Sequence, residues 1–249
     1  MINDGAYLDH TFVVSSCDMD IWGYLKPTSL LNICQEVAYI HSSQLGFGYD
    51  LLAELNAAWV LSRVHAQIER LPAWREQVRV RTWHKRQSGL FALRDYIFYD
   101  SQERPIIKVT TSWLIINTQT RRISRVDRIF GSNSELQLLS YNSDALEAEA
   151  ERIECMGQAT PVGEHKVVYS DMDVNQHVNN ARYLEWVCDH SPLQISKEHA
   201  LKDFTLNFNH EAKFGELILL GAWHQNPTCI SIEGTCEGRS VFVGRLNYL

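Results

Sequence analysis

Apolar residues recur along this chain at two periods, and these periods divide it into predicted helices and strands. A helix is predicted from Pro27, a residue that suits the first helical position. Its apolar positions lie three and four residues apart, at Leu30, Ile33, Cys34, Val37 and Ile40. Gly46 and Gly48 then end it. Because the apolar face is broad, we expect this helix to be buried against a sheet. A short helical piece is predicted at residues 51–55.

Alternating apolar and polar positions, rich in β-branched and aromatic residues, predict strands in both halves of the chain. In the first half they are expected at residues 7–14, 59–68, 78–83, 90–99 and 106–116. In the second half they are expected at residues 204–208, 217–223, 229–235 and 241–246. A helix followed by antiparallel strands, twice over, predicts an α+β architecture.

The two halves share an order of short motifs, which favours an internal duplication. Asp18-Met19-Asp20 recurs 153 positions later as Asp171-Met172-Asp173, and each copy leads into a helical pattern. Trp83-His84 recurs as Trp223-His224. With a two-residue gap, Glu69 falls opposite Glu211. The domains predicted are residues 1–131 and 161–249. An acidic segment, 132–160, joins them as a linker with room for one short helix.

Composition narrows the class of protein. The chain is 45% hydrophobic and 21% charged, as expected of a folded protein with one large or two small domains. A net charge of −7 argues against nucleic-acid binding. No apolar run is long enough for membrane insertion, and the first residues lack the pattern of a secretory signal. Six scattered cysteines favour free thiols, no metal site and a cytoplasmic location. No cofactor is predicted.

The stretch with the greatest chemical potential runs from Tyr169 to Trp186. Its polar residues alternate, which predicts an extended segment with all of them on one side: Asp171, Asp173, Asn175 and His177. A helical pattern follows at once. The same alternation is typical of a calcium loop, but Gln176 stands where that loop needs Gly, and Arg182 where it needs Glu. A calcium site is therefore excluded.

This stretch resembles the D-x-N-x-H-V-N-N-x-x-Y-x-x-W signature of the fatty acyl–acyl carrier protein thioesterases of plant plastids and bacteria. The resemblance extends in weaker form over nearly the whole chain. It implies two tandem hotdog folds, each a long helix wrapped by an antiparallel sheet. The two sheets would join into one continuous sheet. It also implies hydrolysis of an acyl thioester, which needs activated water, donors for the oxyanion and a proton for the thiol.

The resemblance and the residue types together assign roles. His177 would be the general acid or base, Asn175 would hold the water or the thioester oxygen, and Asp173 would fix Asn175. The helix start near Val178 and Asn179 would add backbone donors. Glu211 matches a family glutamate, and would activate water with His177 or, as a minor alternative, attack directly.

Two further features decide where catalysis is expected. Many plant members have Cys after the glutamate, but Ala212 stands there, which excludes a cysteine nucleophile at this position. In the first copy, Trp22 and Tyr24 stand opposite Asn175 and His177. We therefore expect catalysis in the second half, and acyl-chain binding in the first.

The expected partner is an acyl carrier protein, which is acidic. The densest basic run could dock it, through Arg121, Arg122, Arg125 and Arg128. A surface or interdomain role for this run is an equal alternative. The sequence also leaves open an acyl-coenzyme A hydrolase, a hotdog dehydratase, a non-catalytic acyl-binding module, and a homodimer.

Overall fold

One sheet of eleven strands dominates this computed structural model, which describes residues 5–130, 141, 143–154 and 157–249. The first half contributes β1 (Leu8–Val13), β2 (Ala57–Ile68), β3 (Gln77–Ser88), β4 (Phe91–Tyr99), β5 (Pro105–Asn117) and β6 (Ile123–Ser124). The second half contributes β7 (Thr160–Lys166), β8 (Leu201–Phe208), β9 (Leu217–Asn226), β10 (Cys229–Cys236) and β11 (Arg239–Tyr248). All nine predicted strands are present.

The described residues form five helices. They are α1 (Pro27–Gln44), α2 (Tyr49–Glu54), α3 (Val126–Phe130), α4 (Asn180–Asp189) and α5 (Leu193–Glu198). Short 3₁₀ turns at Ser16–Asp18 and Tyr169–Asp171 precede α1 and α4. Pro27 begins α1 as predicted. Among the helices of the described segments, none is long and apolar enough to cross a membrane.

The strand order shows how the two halves join. It runs β1-β3-β4-β5-β2-β8-β11-β10-β9-β7, with every neighbouring pair antiparallel and β6 added beside β5. The junction is the pairing of β2 with β8, from Arg63 opposite Asn207 to Gln67 opposite Asp203. Each half thus supplies one sheet and the two sheets form a single surface. The predicted α+β class and continuous sheet are confirmed.

The long helices α1 and α4 pack on one another and on the sheet, and one apolar core spans both halves. Leu30, Cys34 and Val37 of α1 and Leu184 and Val187 of α4 are buried in it. The α4 helix has 10 residues against 18 in α1, so the second helix is shorter than predicted. This arrangement is the double hotdog.

Residues 143–154 form a strap across the outer face of the sheet. The Ala145 N–H donates to Asp95 Oδ2 at 2.7 Å, and the Ile153 N–H donates to Asn207 Oδ1 at 2.6 Å. Lys85 Nζ lies 3.3 Å from Asp95, and both side chains are fully buried. This part of the predicted linker is therefore bound to both halves. Residues 132–140, which begin it, and residues 142, 155 and 156 lie outside the described residues.

Breaking the ion pair under the strap is expected to destabilise the protein. Asp95→Ala leaves the buried Lys85 ammonium with the Leu146 carbonyl and with the Asp144 carboxylate, 3.6 Å away. We expect a loss of about 3 kcal/mol in the free energy of unfolding, measured by urea denaturation. The double variant Lys85→Met/Asp95→Leu removes both charges and should recover part of that loss, since the Ala145 N–H still loses its acceptor. A double variant as unstable as the single one would contradict this account.

Candidate active site

Two tight turns of the same geometry precede α1 and α4. In the first, Asp20 Oδ1 accepts hydrogen bonds from the backbone N–H groups of Trp22 and Tyr24, both at 2.9 Å. The Asp20 N–H donates to the Tyr24 carbonyl at 2.8 Å. Gly23 has a φ of 84°, which glycine adopts without strain. An aspartate that binds N–H groups ahead of it closes a turn and competes with extended structure.

Asp173 closes the second turn in the same way. Its Oδ1 accepts from the N–H groups of Asn175 at 2.8 Å and His177 at 3.4 Å. Its own N–H donates to the His177 carbonyl at 2.8 Å, and Gln176 takes a φ of 62°. The predicted extended segment is therefore wrong, because the aspartate bonds favour a turn. Asp173 holds the backbone of this turn, and its Oδ2 lies 3.5 Å from the Asn175 amide nitrogen.

Asp171 does not share the site, although the alternation predicted it on the same side. Its Oδ2 accepts from the Val168 N–H at 2.8 Å and lies 2.9 Å from His165 Nε2. The His165 ring packs on Trp186 with centroids 4.3 Å apart. Asp171 and His165 thus support the 3₁₀ turn that leads into the catalytic candidates.

Glu211 follows β8, and its carboxylate reaches the second turn. The N–H groups of Asn209 and His210 both donate to the Val241 carbonyl, at 2.8 and 3.0 Å, where the chain leaves β8. Glu211 Oε2 then lies 3.5 Å from His177 Nε2. The side chains of His177 and Glu211 are 39% and 29% exposed. The structure therefore brings Asp173, Asn175, His177 and Glu211 together at a place that water can reach.

A further charged group reaches Glu211 from the first half of the chain. The Arg121 guanidinium donates to Glu211 Oε2, the same oxygen that faces His177. Arg121 lies in the hairpin between β5 and β6, and its side chain is 52% exposed. The sequence placed this arginine only in a docking run. Residues of both halves therefore form the site.

The backbone bonds after β2 and β8 fix how the halves correspond. The Glu76 carbonyl accepts from the Val14 N–H at 3.0 Å, and the Glu216 carbonyl accepts from the Val167 N–H at 2.9 Å. In each half the glutamate N–H donates to the carbonyl three residues earlier, at 3.1 Å. Glu76 therefore corresponds to Glu216.

This register corrects the predicted match between Glu69 and Glu211. Counting back five residues from Glu76 and from Glu216 places Leu71 opposite Glu211. The predicted match of Glu69 with Glu211 is therefore wrong. It introduced a two-residue gap to align two residues of the same type, whereas the backbone positions align without that gap. The first half therefore lacks all three polar groups of the site, and has Trp22, Tyr24 and Leu71 where the second half has Asn175, His177 and Glu211.

Comparison with known families agrees with this two-part construction. Residues 5–130 match the acyl-ACP thioesterase N-terminal domain, and residues 157–233 match the acyl-ACP thioesterase C-terminal domain. The chain belongs to the acyl-ACP thioesterase family.

Relatives within this family are plant proteins of greater length. The chain is 29% identical over 233 residues to the chloroplastic oleoyl-acyl carrier protein thioesterase 2 of Arabidopsis thaliana, covering 88% of this chain and 63% of that one. It is 29% identical over 223 residues to a chloroplastic palmitoyl-acyl carrier protein thioesterase of Gossypium hirsutum, covering 85% and 53%. The chain thus spans between half and two thirds of these relatives.

Solved structures of the family share the whole fold. An acyl-ACP thioesterase from Bacteroides thetaiotaomicron is 25% identical, with a TM-score of 0.90 and 100% of both chains covered. A 12:0-ACP thioesterase from Umbellularia californica is 23% identical and gives a TM-score of 0.87, covering 98% of this chain and 97% of that one. Both support the double hotdog fold.

Sequence reasoning missed one residue of this candidate site, Tyr183 on α4. Its hydroxyl accepts the buried Ala212 N–H at 3.1 Å, directly beside Glu211. In the first half the corresponding residues are Leu30, which cannot accept, and Pro72, which has no N–H. The bond exists only in the half that carries Glu211. The tyrosine of the family signature was the signal that could have pointed to it.

Tyr183→Phe is expected to lower kcat about tenfold, since the unpaired Ala212 N–H loosens the segment that carries Glu211. KM should change little, because the substitution leaves the surface of the site intact. Steady-state kinetics measure both constants. Tyr248→Phe is the control, because Tyr248 lies in a similar environment: burial raises the pKa of its hydroxyl, and burial also raises the pKa of Tyr183. Equal losses of kcat in both variants would contradict a positioning role.

The start of α4 offers fewer backbone donors to this candidate site than predicted. The Asn179 N–H donates to the Asp171 carbonyl at 2.8 Å, and the Ala181 N–H is capped by Asn179 Oδ1 at 2.9 Å. The expectation of a free donor at Asn179 is therefore wrong, because the Asp171 carbonyl accepts its N–H. A backbone donor at Val178 stays a prediction, beside the side-chain amide of Asn175.

Four cysteines of the described segments, Cys34, Cys188, Cys229 and Cys236, are poor nucleophiles. Burial raises the pKa of the Cys188 thiol to about 12 and raises that of Cys34, Cys229 and Cys236 above its ordinary value. A thiolate, not a thiol, is the nucleophile. Cys155 lies outside the described residues. These shifts favour a water-based mechanism over covalent cysteine chemistry.

A cleft of about 920 Å³ lies between α1 and the turn that Asp173 closes before α4. Its lining includes Asp173, Val174 and Asn179 from the turn, and polar side chains of α1 such as Asn32 and Glu36. Asn175, His177 and Glu211 do not line it. The reactive groups and this cleft therefore share only Asp173 of the predicted site residues.

Proposed function

We propose that this chain hydrolyses the thioester of fatty acyl–acyl carrier protein and releases the free fatty acid. The observation that carries the proposal is the approach of His177 to Glu211, 3.5 Å apart beside Asn175, in one half only. A histidine and a carboxylate at an exposed edge can activate water. The family membership supports an acyl carrier protein as the partner that presents the acyl group.

In the proposed reaction, water adds to the thioester carbonyl while His177 takes its proton. Glu211 stabilises the imidazolium that forms. The carbon–sulfur bond then breaks, and His177 returns the proton to the leaving thiolate. The fatty acid and the free thiol of the carrier are the products. In the alternative in which Glu211 attacks directly, an anhydride would form first and water would open it afterwards.

The turn supplies the oxyanion contact in this proposal. The Asn175 amide would donate to the thioester oxygen as negative charge develops there. Asp173 would act through the backbone, since its carboxylate fixes the N–H groups of Asn175 and His177. Its role is therefore to position the turn, as Asp20 does in the first half, rather than to touch the substrate.

Docking of the carrier is proposed at two of the four arginines of the basic run. Arg121 is paired with Glu211, and Arg125 Nε lies 3.1 Å from Asp127. In the described residues, Arg122 and Arg128 have no ion pair. These two guanidiniums are the better candidates for acidic groups of the carrier.

Thiol release, followed with a colorimetric thiol reagent, tests the proposed function. The same acyl group is presented on acyl carrier protein and on coenzyme A. We expect release from both, with a higher kcat/KM for the carrier substrate. Faster turnover of the coenzyme A substrate would favour an acyl-coenzyme A hydrolase. Binding of the acyl carrier without any thiol release would favour a non-catalytic acyl-binding module.

A further inference from the structure

One oxygen of Glu211 serves two partners. Oε2 receives the Arg121 guanidinium and also faces His177 Nε2 at 3.5 Å. Hydrogen bonds between nitrogen and oxygen are usually about 2.7–3.2 Å long. The arginine therefore holds this oxygen closely, whereas the histidine stands just beyond bonding range. In this arrangement the charge of Glu211 is compensated by Arg121 and is less available to stabilise a protonated His177.

The Arg121 guanidinium is accessible to an anionic group of a bound substrate. Its side chain is half exposed, and it lies in a hairpin closed by hydrogen bonds from the Arg121 N–H to the Asn117 carbonyl and from the Asn117 N–H to the Arg122 carbonyl, both at 2.9 Å. Ion pairs at exposed positions contribute little to stability, so exchanging one anion for another costs little. A guanidinium also binds phosphate and carboxylate in the same way.

We propose that Arg121 is a specificity-determining residue that couples recognition of an anionic carrier to the chemistry. Without a carrier, Arg121 holds Glu211 away from His177. When an anionic group of the substrate takes the guanidinium, Glu211 is released and closes on His177 to about 2.7–3.2 Å. The anion is either the phosphate of the prosthetic arm or a carboxylate of the carrier surface. The inference rests on the proposed thioester hydrolysis.

The test compares one acyl group on three thiols: pantetheine, phosphopantetheine and acyl carrier protein. Wild-type kcat should be lowest for acyl-pantetheine, which has no anion. Arg121→Leu frees Glu211 permanently, and should raise kcat for acyl-pantetheine about tenfold, a typical coupling between two sites. The same variant should raise KM for the acyl carrier. In the wild type, a rise in kcat at phosphopantetheine assigns the anion to the phosphate, and a rise only at the carrier assigns it to surface carboxylates.

Arg86→Leu is the matched control, because Arg86 is also a half-exposed arginine in an ion pair, with Asp144, and does not touch Glu211. It should leave both kcat for acyl-pantetheine and KM for the acyl carrier at the wild-type values. An unchanged or lower kcat of Arg121→Leu on acyl-pantetheine would overturn the proposal and leave Arg121 as a docking or structural residue.

A measurement without turnover separates this proposal from the proposed function. The nitrogen NMR signals of the His177 imidazole, assigned by their loss in His177→Ala, report its contact with Glu211. Carrier protein with its prosthetic arm but no acyl group should shift these signals in the wild type and not in Arg121→Leu. Absence of that shift would overturn the coupling. If no substrate released its thiol, the proposed thioester hydrolysis itself would instead be overturned.

Discussion

Replacing His177 with alanine is expected to lower kcat by about 10²–10⁴, the usual loss when a positioned general acid–base group is removed. The protein should stay folded, since His177 supports its turn through backbone groups that alanine retains. Binding of the acyl substrate should persist, because the apolar core is untouched. Steady-state kinetics and an acyl-binding titration measure the two effects separately.

The control for this variant is Tyr24→Phe. Tyr24 occupies the position of His177 in the first turn, with the same backbone bonds to its aspartate. Phenylalanine removes one hydroxyl, so kcat should stay within a few-fold of the wild-type value. Comparable losses in the two variants would show that the turns matter as structure and that His177 has no chemical role.

Glu211→Gln is expected to lower kcat by a similar factor, about 10²–10⁴, because the amide cannot stabilise a protonated His177 by charge. Effects within one catalytic unit do not add. The double variant His177→Ala/Glu211→Gln should therefore be little worse than the worse single variant. Additive losses would contradict a shared role for the two side chains.

Glu69→Gln is the matched substitution in the first half. Glu69 is exposed, and it does not correspond to Glu211 in the backbone register. Its replacement should leave kcat nearly unchanged. A loss as large as that of Glu211→Gln would disprove the assignment of catalysis to the second half.

The sequence was sufficient for the elements that depend on local periodicity. The apolar positions of α1 and the alternation in β2 to β5 gave their location, and Pro27 gave the first residue of the helix. The elements that were missed are β6, β7, α3 and α5. Three of them have six residues or fewer, and β7 is a mostly exposed strand without a regular alternation of buried and exposed residues. Predicted domain boundaries at residues 131 and 161 stay predictions.

The site was harder to predict than the fold, because its geometry depends on competing local bonds. Alternation from Asp171 to His177 fits an extended segment. The aspartate side chains instead bond to N–H groups ahead of them, which produces a turn and sends Asp171 to His165. The motif identified Asn175 and His177 by residue type, but not the shape that presents them.

Contacts between distant segments were beyond pattern analysis. Arg121 and Glu211 are 90 residues apart, and nothing in either segment predicts that they meet. The strap of residues 143–154 was predicted as a linker because it lacks periodicity, yet backbone bonds to Asp95 and Asn207 hold it on the sheet. The Leu71 correspondence likewise needed the backbone bonds, because residue types favoured Glu69.

The central claim is that one half of this chain hydrolyses an acyl carrier thioester through His177. A single-turnover experiment with enzyme in excess over acyl–acyl carrier protein isolates the chemical step from docking and product release. We expect full thiol release by the wild type, and the same amplitude about 10²–10⁴ times more slowly in His177→Ala. Equal single-turnover rates for the wild type and His177→Ala would contradict the claim.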